Sequence, residues 1–311
     1  MSSLDPAINE LNTLRDFIRL GVSRFGRAGL FYGHGTDNAW DEAVQLVLHG
    51  AGLPWDVNPD AIDARLLNSE KQQVVELFER RIKERIPAAY LVGEAWFCGM
   101  PFNVDERVLV PRSPIAQLIQ QGFAPWLDGV EVERVLDLCT GSGCIGIACA
   151  ELFDNAQVDL LDISDDALSV CRSNVARHQK SGRADAIQSD LFAALQPNQQ
   201  YQLIVSNPPY VDQADFDGMP CEFGHEPELG LVSGHDGLDI TYQILAQAAD
   251  YLSDDGLLVV EVGNSEAALR QQLPDAPLIW VELPQGGNGV FIITAYDLRQ
   301  LATTLKDGVG R

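Results

Sequence analysis

Apolar strands that alternate with helices from Val132 onward limit the folds open to this chain more than any other feature of its sequence. Strands that follow one another through helices form a parallel sheet with helices packed against it. The sequence therefore predicts an α/β domain over this stretch. The strands are expected at 134–138, 158–163, near 186–188 and at 201–205, and the helices at 144–153 and from Ser164 to about Lys180.

Further segments near the end of the chain predict an antiparallel edge on this sheet. A helix at 238–252 and a strand at 257–262 are followed by a helix from Ser265. Two more strands are expected near 278–283 and 290–295, and the glycine turn QGGNG joins them. A connection this short suits a hairpin, in which the two strands run in opposite directions.

The segment Ser206–Tyr210 (SNPPY) forms a stiff turn directly after the strand at 201–205. Asn207 precedes a proline and is pushed out of the α region, while both prolines have a fixed φ and no N–H. Asn207 Oδ1 and the Pro208 carbonyl can each accept one hydrogen of a planar –NH2 group, and Tyr210 can stack on its plane. Because the lone pair of an amide nitrogen is delocalised, drawing its hydrogens toward fixed acceptors makes it a better nucleophile.

A glycine loop, Cys139–Gly143, follows the first strand. Glycines permit a tight turn and a close approach of the backbone to a nucleotide at a helix N-terminus. The G-x-G-x-x-G pattern that begins at Gly141 also fits a dinucleotide site, with Asp162 in about the right place. The loop alone therefore does not distinguish a dinucleotide from a nucleoside cofactor that carries a sulfonium. Two features together favour a sulfonium cofactor over a dinucleotide. A carboxylate at Asp137 repels a pyrophosphate but accommodates a sulfonium that carries an amino-acid ammonium, and a dehydrogenase has no use for the SNPPY turn after the fourth strand.

Together, the glycine loop and SNPPY resemble the motifs of S-adenosylmethionine-dependent amino methyltransferases, which act on glutamine amides or exocyclic base nitrogens. Over essentially the whole chain the resemblance is to the protein glutamine methyltransferases. The segments Val110–Pro114 and Gly224–Leu231 resemble those of the enzymes that methylate a large-subunit ribosomal protein. Release-factor glutamine methyltransferases are the nearest alternative, and a DNA adenine methyltransferase is a more distant one.

This resemblance implies a class I methyltransferase fold, with a seven-stranded, mostly parallel sheet and helices on both faces. It also implies a helical N-terminal substrate-recognition domain at 1–87, a hairpin linker at 88–112 and a catalytic domain at 113–311.

The resemblance further implies S-adenosylmethionine as the cofactor and no metal. The loop would bind the methionine part, the carboxylate of Asp162 both ribose hydroxyls, and Asp190 with Leu191 the adenine. Asn207, Pro208 and Tyr210 would be catalytic, and together with Pro209 they would bind the substrate amide. The expected cofactor-binding residues are Asp137, Cys139, Thr140, Gly141, Ser142, Gly143, Asp162, Asp190, Leu191 and Asn207.

The formal net charge of −24 bears on the partner. An acidic protein repels phosphate backbones, which argues against DNA methylation and against direct nucleic-acid readout. A basic ribosomal protein of the large subunit, free or in an assembly intermediate, would be attracted instead. The segment 211–230 holds six acids and no Lys or Arg, which fits either an acidic mouth for such a substrate or a solvated loop.

The first 87 residues show no chemistry and predict helices at 4–26, from the region of Thr36–Asn38 to Gly50, and from Asn68 or Ser69 to Ile86. His34 is expected to be a solvated loop residue, and His225 is not required as a base. The basic run of the third helix is expected to be exposed, as a solvated face or a partner site; it comprises Arg80, Arg81, Lys83 and Arg85.

Two further features concern the cellular setting. No apolar run approaches the ~18 residues of a membrane span, and the N-terminus lacks a signal-peptide pattern, so a cytoplasmic location without membrane contact is expected. The six cysteines show no CxxC pair and no clustered histidines nearby, which favours reduced, buried thiols over disulfides or zinc. The oligomeric state stays open.

Overall fold

The computed structural model describes residues 5–308, and of 302–308 the backbone alone. Two compact units make up this part of the chain. The first, here the helical unit, holds the residues up to Ala95 together with Pro220–His225. The second, here the sheet unit, holds Trp96–Met219 and the chain from Glu226 onward. The sequence did not predict the return of 220–225 to the helical unit.

The helical unit begins with two helices where one was expected over 4–26. Thr13 separates them, because its hydroxyl accepts a hydrogen bond from Asp16 N while the Asp16 carboxylate accepts one from Thr13 N. This reciprocal cap starts a new helix. Residue 4 lies outside the described residues. The helices are α1 (Pro6–Glu10), α2 (Leu14–Ala28), α3 (Ala39–Gly50), α4 (Asn68–Lys83) and α5 (Ala88–Val92), with a 3-10 turn at Pro59–Asp63.

Arg81 corrects the prediction that the basic run is exposed. Its side chain is 1% exposed, and its guanidinium donates to Glu42 Oε1 at 2.6 Å and to Glu222 Oε1 at 3.2 Å. Arg80 and Lys83 are exposed as expected, each beside a glutamate four residues away. His34 is buried rather than solvated, with its ring centroid 4.6 Å from that of Phe223.

The chain passes from the helical unit to the sheet unit within a short hairpin, β1 (Glu94–Phe97) and β2 (Met100–Asn103). A helix, α5, precedes it where the sequence was taken as part of the hairpin. The following elements are α6 (Ile115–Gln120), β3 (Arg134–Leu138), α7 (Cys144–Leu152), β4 (Gln157–Asp162), α8 (Asp165–Arg177), β5 (Ala184–Gln188), β6 (Tyr201–Ser206), α9 (Gln213–Asp217), α10 (Asp239–Gln247), β7 (Leu252–Glu261), α11 (Glu266–Gln272), β8 (Ile279–Trp280), β9 (Val290–Thr294) and α12 (Ala295–Gly308).

The larger sheet has seven strands in the order β5-β4-β3-β6-β7-β9-β8. The pairings from β5 to β7 are parallel, and β9 lies antiparallel to both β7 and β8. This confirms the predicted parallel sheet with an antiparallel edge, although β8 is much shorter than expected. Neighbouring residues of β3 belong to different apolar clusters: Val135 to the one that contains Ile147 of α7, and Leu136 to the one that contains Leu245 of α10. Both faces of the sheet are therefore covered.

Three properties of the described residues bear on the class of protein. None of their helices is long and apolar enough to cross a membrane. They contain no group of three His, Cys, Asp or Glu side chains arranged to bind a metal ion. All six cysteines are free thiols; Cys221 is exposed, which corrects the expectation that they are buried, since it lies in a surface 3-10 turn.

Candidate active site

The glycine loop and the SNPPY turn leave the sheet side by side. Leu138, the last residue of β3, is paired with Ser206, the last of β6, and Ser206 Oγ donates to Leu138 O at 2.9 Å. From β3 the sheet extends to β4 on one side and to β6 on the other. The carboxyl ends of strands at such a reversal of strand order leave a crevice, where α/β proteins bind ligands.

The glycine loop has the backbone conformation of a ligand-binding turn. Cys139, Gly141 and Gly143 all have positive φ, at 58°, 54° and 82°. A Cβ placed on Gly141 would meet no atom within 4 Å, so the loop borders open space at this residue. A Cβ on Gly146 would lie 2.1 Å from Leu160 Cδ2, so this glycine lets α7 pack tightly on β4.

Asp137, on β3, holds the glycine loop through side-chain hydrogen bonds. Its Oδ2 accepts hydrogen bonds from Thr140 Oγ1 at 2.5 Å and from Gly146 N at 2.8 Å. Its Oδ1 is buried and accepts no hydrogen bond from any residue that the structure describes. Burial raises the pKa of this carboxyl to about 7. Asp137 therefore fixes the loop with one oxygen and keeps the other as an unused acceptor.

Asp162 and Asp190 stand at the carboxyl ends of the next two strands. The oxygens of Asp162 accept from Gly141 N and Ser164 N, both at 2.9 Å, so its carboxylate is held between the glycine loop and the start of α8. Burial raises the pKa of Asp162, and the backbone N–H groups of Ser164, Gly141 and Ile163 oppose that rise. Asp190 is exposed, whereas Leu191 is buried with a φ of 46°. This half of the edge is the predicted cofactor side.

Asn207 presents an unused acceptor on the other half of the edge. Its Oδ1 is buried and no donor approaches it within the described part of the chain. Pro208 is buried, while Asn207, Pro209 and Tyr210 are half-buried. A buried amide oxygen without a partner is costly unless a ligand group fills the role. The residue therefore suits an N–H donor that arrives from outside the protein.

Tyr210 is held at three points by the last residue of β7 and the segment that follows it. Its hydroxyl donates to Glu261 Oε1 at 3.0 Å, and its carbonyl accepts from Ser265 Oγ at 2.8 Å. Its ring lies so close to Gly263 that a Cβ there would be 2.4 Å from Tyr210 Cε2. The other oxygen of Glu261 accepts from Ser113 Oγ at 2.6 Å. The orientation of the aromatic ring is thus set by residues distant in the sequence.

A cleft of about 400 Å³ is lined in part by Ser113. The Ser113 hydroxyl donates to one oxygen of Glu261 and the Tyr210 hydroxyl to the other, so Ser113 joins this cleft to the Glu261 carboxyl. The other lining residues include Trp96, Pro111, Arg112, Pro114 and Gly287.

The acidic segment 211–230 is less acidic at its surface than its composition suggests. Glu222 is buried in the helical unit against Arg81. Glu226 is buried in the sheet unit, where both its oxygens accept from the Arg112 guanidinium at 2.6 Å. Glu222 and Glu226 therefore do not contribute to an acidic mouth for a basic substrate, whereas Asp215, Asp217 and Glu228 are exposed. His225 Nε2 lies 2.8 Å from Glu84 O within the helical unit, which gives it a structural contact.

Sequence reasoning missed Glu261, Ser113 and Ser265. One signal was present: Glu261 is a lone acid at the end of the apolar run LLVV, where burial is expected and a charge must have a partner. No comparable signal marks Ser113 or Ser265, because serine is common in turns.

Comparison with known proteins gives two kinds of match at the level of sequence. Residues 121–220 match the family model of the methyltransferase small domain. A ribosomal protein uL3 glutamine methyltransferase from Xanthomonas campestris is 53% identical over 292 residues, which are 94% of each chain. A protein of the same name from Francisella tularensis is 48% identical over 300 residues, 96% of this chain and 95% of its own.

Among solved structures, the catalytic domain of hMettl16 in complex with the MAT2A 3′UTR hairpin 6 has a TM-score of 0.50 at 16% identity. The match covers 72% of this chain and 80% of that one. At this identity the likeness concerns the fold alone. Together with the family model it confirms the predicted class I methyltransferase fold.

Proposed function

The chain belongs to the ribosomal protein uL3 glutamine methyltransferases, and we propose that it transfers the methyl group of S-adenosylmethionine to a glutamine side-chain nitrogen of uL3. It is an enzyme, and its reaction is the methylation of a glutamine in a large-subunit ribosomal protein. The proposal adds the cofactor, the protein uL3 as substrate, and the residues that act on each of them.

The observation that carries the proposal is the buried Oδ1 of Asn207, an acceptor that no described residue uses. It stands one residue beyond the Leu138–Ser206 pair, directly beside the glycine loop. A glutamine amide has two N–H donors on one planar nitrogen, and it needs acceptors when water is excluded. Asn207 Oδ1 and the Pro208 carbonyl supply two, and the Tyr210 ring covers the plane of the amide.

The residues at the other half of the edge fit the cofactor. The open space at Gly141 leaves room for a ligand against the backbone, and Asp137 Oδ1 is a carboxyl oxygen beside the loop that no described residue uses as an acceptor. Asp162 is fixed by two backbone N–H groups, which leaves lone pairs on both oxygens for the ribose hydroxyls. Thr140, Ser142 and Leu191 complete this side. When bound, S-adenosylmethionine supplies an electrophilic methyl group on a sulfonium.

The chain's own residues act by positioning and polarisation. Asn207 and Pro208 orient the glutamine nitrogen, which forms a new N–C bond as the S–C bond breaks. Transfer leaves this nitrogen with a positive charge, and it then loses one proton to water, because a cationic amide nitrogen is strongly acidic, so no dedicated base is needed. Orientation of this kind can contribute ~7–11 kcal/mol to lowering a barrier. Fixed acceptors aimed at the developing positive charge lower it further.

The charge of the protein supports a basic partner. The net charge is −24, and the exposed acids Asp215, Asp217 and Glu228 follow the SNPPY turn in the chain. Complementary charge speeds encounter between protein partners. A free ribosomal protein or an early assembly intermediate exposes its basic surface, so we propose these as the forms that are methylated.

The direct test is methylation of purified uL3 with isotope-labelled S-adenosylmethionine, followed by mass spectrometry of its peptides. We expect one glutamine to gain a single methyl group. A release factor offered under the same conditions serves as the competing substrate. Methylation of the release factor without that of uL3 would contradict the proposed substrate, and no methylation of either would contradict the proposed function.

The cofactor assignment predicts that Asp162→Ala weakens binding of S-adenosylhomocysteine by about tenfold to a hundredfold, the effect of lost hydrogen bonds to a charged group. Isothermal titration calorimetry measures it. Asp165→Ala is the matched control, since Asp165 lies three residues away at the exposed start of α8, where it forms a surface ion pair with Arg172. Equal affinities in the two variants, or binding of a nicotinamide dinucleotide by the wild type, would refute the assignment.

A further inference from the structure

Glu261 is a buried carboxyl that the reaction described above does not use. It ends β7, is 4% exposed, and has hydroxyl donors on both oxygens: Tyr210 at 3.0 Å and Ser113 at 2.6 Å. Each oxygen of Glu261 accepts one of these hydroxyls, so the carboxyl restrains the direction of both. The side chain therefore determines where the Tyr210 hydroxyl points.

The three contacts of Tyr210 all come from the short segment Glu261–Ser265. Glu261 holds the hydroxyl, Gly263 lies against the ring edge, and Ser265 holds the backbone carbonyl. An aromatic ring rotates about two bonds, and contacts at its tip, its edge and its backbone together leave one orientation. The glycine is necessary here, since any side chain at residue 263 would displace the ring.

We infer that Glu261 is a positioning residue for methyl transfer, which sets the tilt of the Tyr210 ring over the substrate amide. The inference rests on the proposed function, because it assigns a task to the ring that covers the glutamine. Glu261 touches neither the amide nor the methyl group in this arrangement. It acts through the phenol alone.

The electrostatic environment of Glu261 fits this role. Burial raises the pKa of Glu261 to about 7, and the two hydroxyls and the nearby Arg112 oppose the rise. Arg112 itself forms an ion pair with Glu226, which offsets much of its effect on Glu261. The Tyr210 phenol also has a raised pKa because of its burial, and it remains a neutral donor. The contact is thus a hydrogen bond of ordinary length from a neutral phenol to a buried carboxyl.

The sheet unit contains a second tyrosine–carboxylate pair, at the start of β6, whereas Tyr210 follows the end of β6. Tyr201 begins β6, and its hydroxyl donates to Asp159 Oδ2 at 2.6 Å. Both side chains are buried, and Arg134 is also bound to Asp159 at 2.7 Å. The crevice lies at the carboxyl end of β6 and Tyr201 at its amino end, so the Tyr201–Asp159 pair lies in the same sheet but outside the candidate site. It is a natural control for the Tyr210–Glu261 pair.

The experiment is a double-mutant cycle on single-turnover methylation of uL3 at saturating substrate and cofactor. We expect Glu261→Gln and Tyr210→Phe each to lower the rate constant by about tenfold, the value of one hydrogen bond. The double variant should be no slower than either single one, since Glu261 acts only through the phenol. Affinity for S-adenosylhomocysteine, measured by calorimetry, should stay unchanged in all three.

The control cycle uses Asp159→Asn and Tyr201→Phe. These substitutions are expected to lower the melting temperature but to leave the single-turnover rate constant within about twofold of the wild type, since the rate depends on geometry at the crevice. Wild-type rates in Glu261→Gln, or effects of Glu261→Gln and Tyr210→Phe that simply multiply, would overturn the positioning role. A wild-type protein that methylates nothing would instead refute the proposed function, so the two failures are distinguishable.

Discussion

Replacing Arg81 with methionine should lower the free energy of unfolding of the helical unit by about 3–5 kcal/mol, the cost of removing one partner from a buried ion pair. Methionine retains much of the apolar stem, so the loss comes from the charge. Glu42 and Glu222 would be left buried without the guanidinium that bonds both, and Phe31 O would lose its donor. The two glutamates would then take up protons at a higher pKa than in the unfolded chain, so the destabilisation should be larger at pH 8 than at pH 5.

Hydrogen–deuterium exchange locates this effect, because it reports the opening of individual segments. Protection should fall in α3 and α4, which carry Glu42 and Arg81, while the strands of the sheet unit keep theirs. Arg80→Met is the matched control. Arg80 is the neighbour of Arg81 on α4, but it is exposed, and its Nε lies 3.7 Å from Glu84 Oε2, a surface pair worth about 0–1 kcal/mol. Equal protection in the two variants would show that the buried network does not stabilise the helical unit.

The same residue shows where sequence reasoning fails in this protein. Arg80, Arg81, Lys83 and Arg85 look alike in the sequence, and a helical run of four bases is usually a solvated face. Only Arg81 is fully buried, because its acidic partners come from α3 and from residue 222, 141 positions away. Periodicity describes local structure alone, and it cannot show that a distant segment of the chain returns to complete the helical unit.

The sheet was predictable because its signals are local. The strands β3, β4 and β6 are short, mostly apolar runs with a polar residue at or shortly after their ends, and the order of strands and helices then restricts the topology. The glycine loop and the SNPPY turn were found for the same reason, since each follows directly on a strand. Glu261 and Ser113 were not found as parts of the site, because their hydrogen bond joins residues 148 positions apart.

Asn207→Ala should slow methyl transfer by about a hundredfold to a thousandfold, the typical effect of removing one preorganised polar group that faces developing charge. The substitution removes the buried Oδ1 acceptor, so one N–H of the substrate amide would lose its partner. The nitrogen would also lose an orienting contact. Because Asn207 Oδ1 accepts no hydrogen bond from the described residues, its loss should leave the stability of the fold nearly unchanged.

Single-turnover methylation of uL3, measured beside calorimetry with S-adenosylhomocysteine, separates a chemical effect from a loss of cofactor. The rate constant at saturating substrate should fall, while cofactor affinity stays close to that of the wild type, since Asp162 and the glycine loop are intact. Asn155→Ala is the control, because Asn155 is exposed and precedes β4 at the opposite edge of the sheet. If Asn207→Ala methylates uL3 as fast as Asn155→Ala does, the turn after β6 is no more than the end of a strand, and the nucleophile must be oriented by other groups.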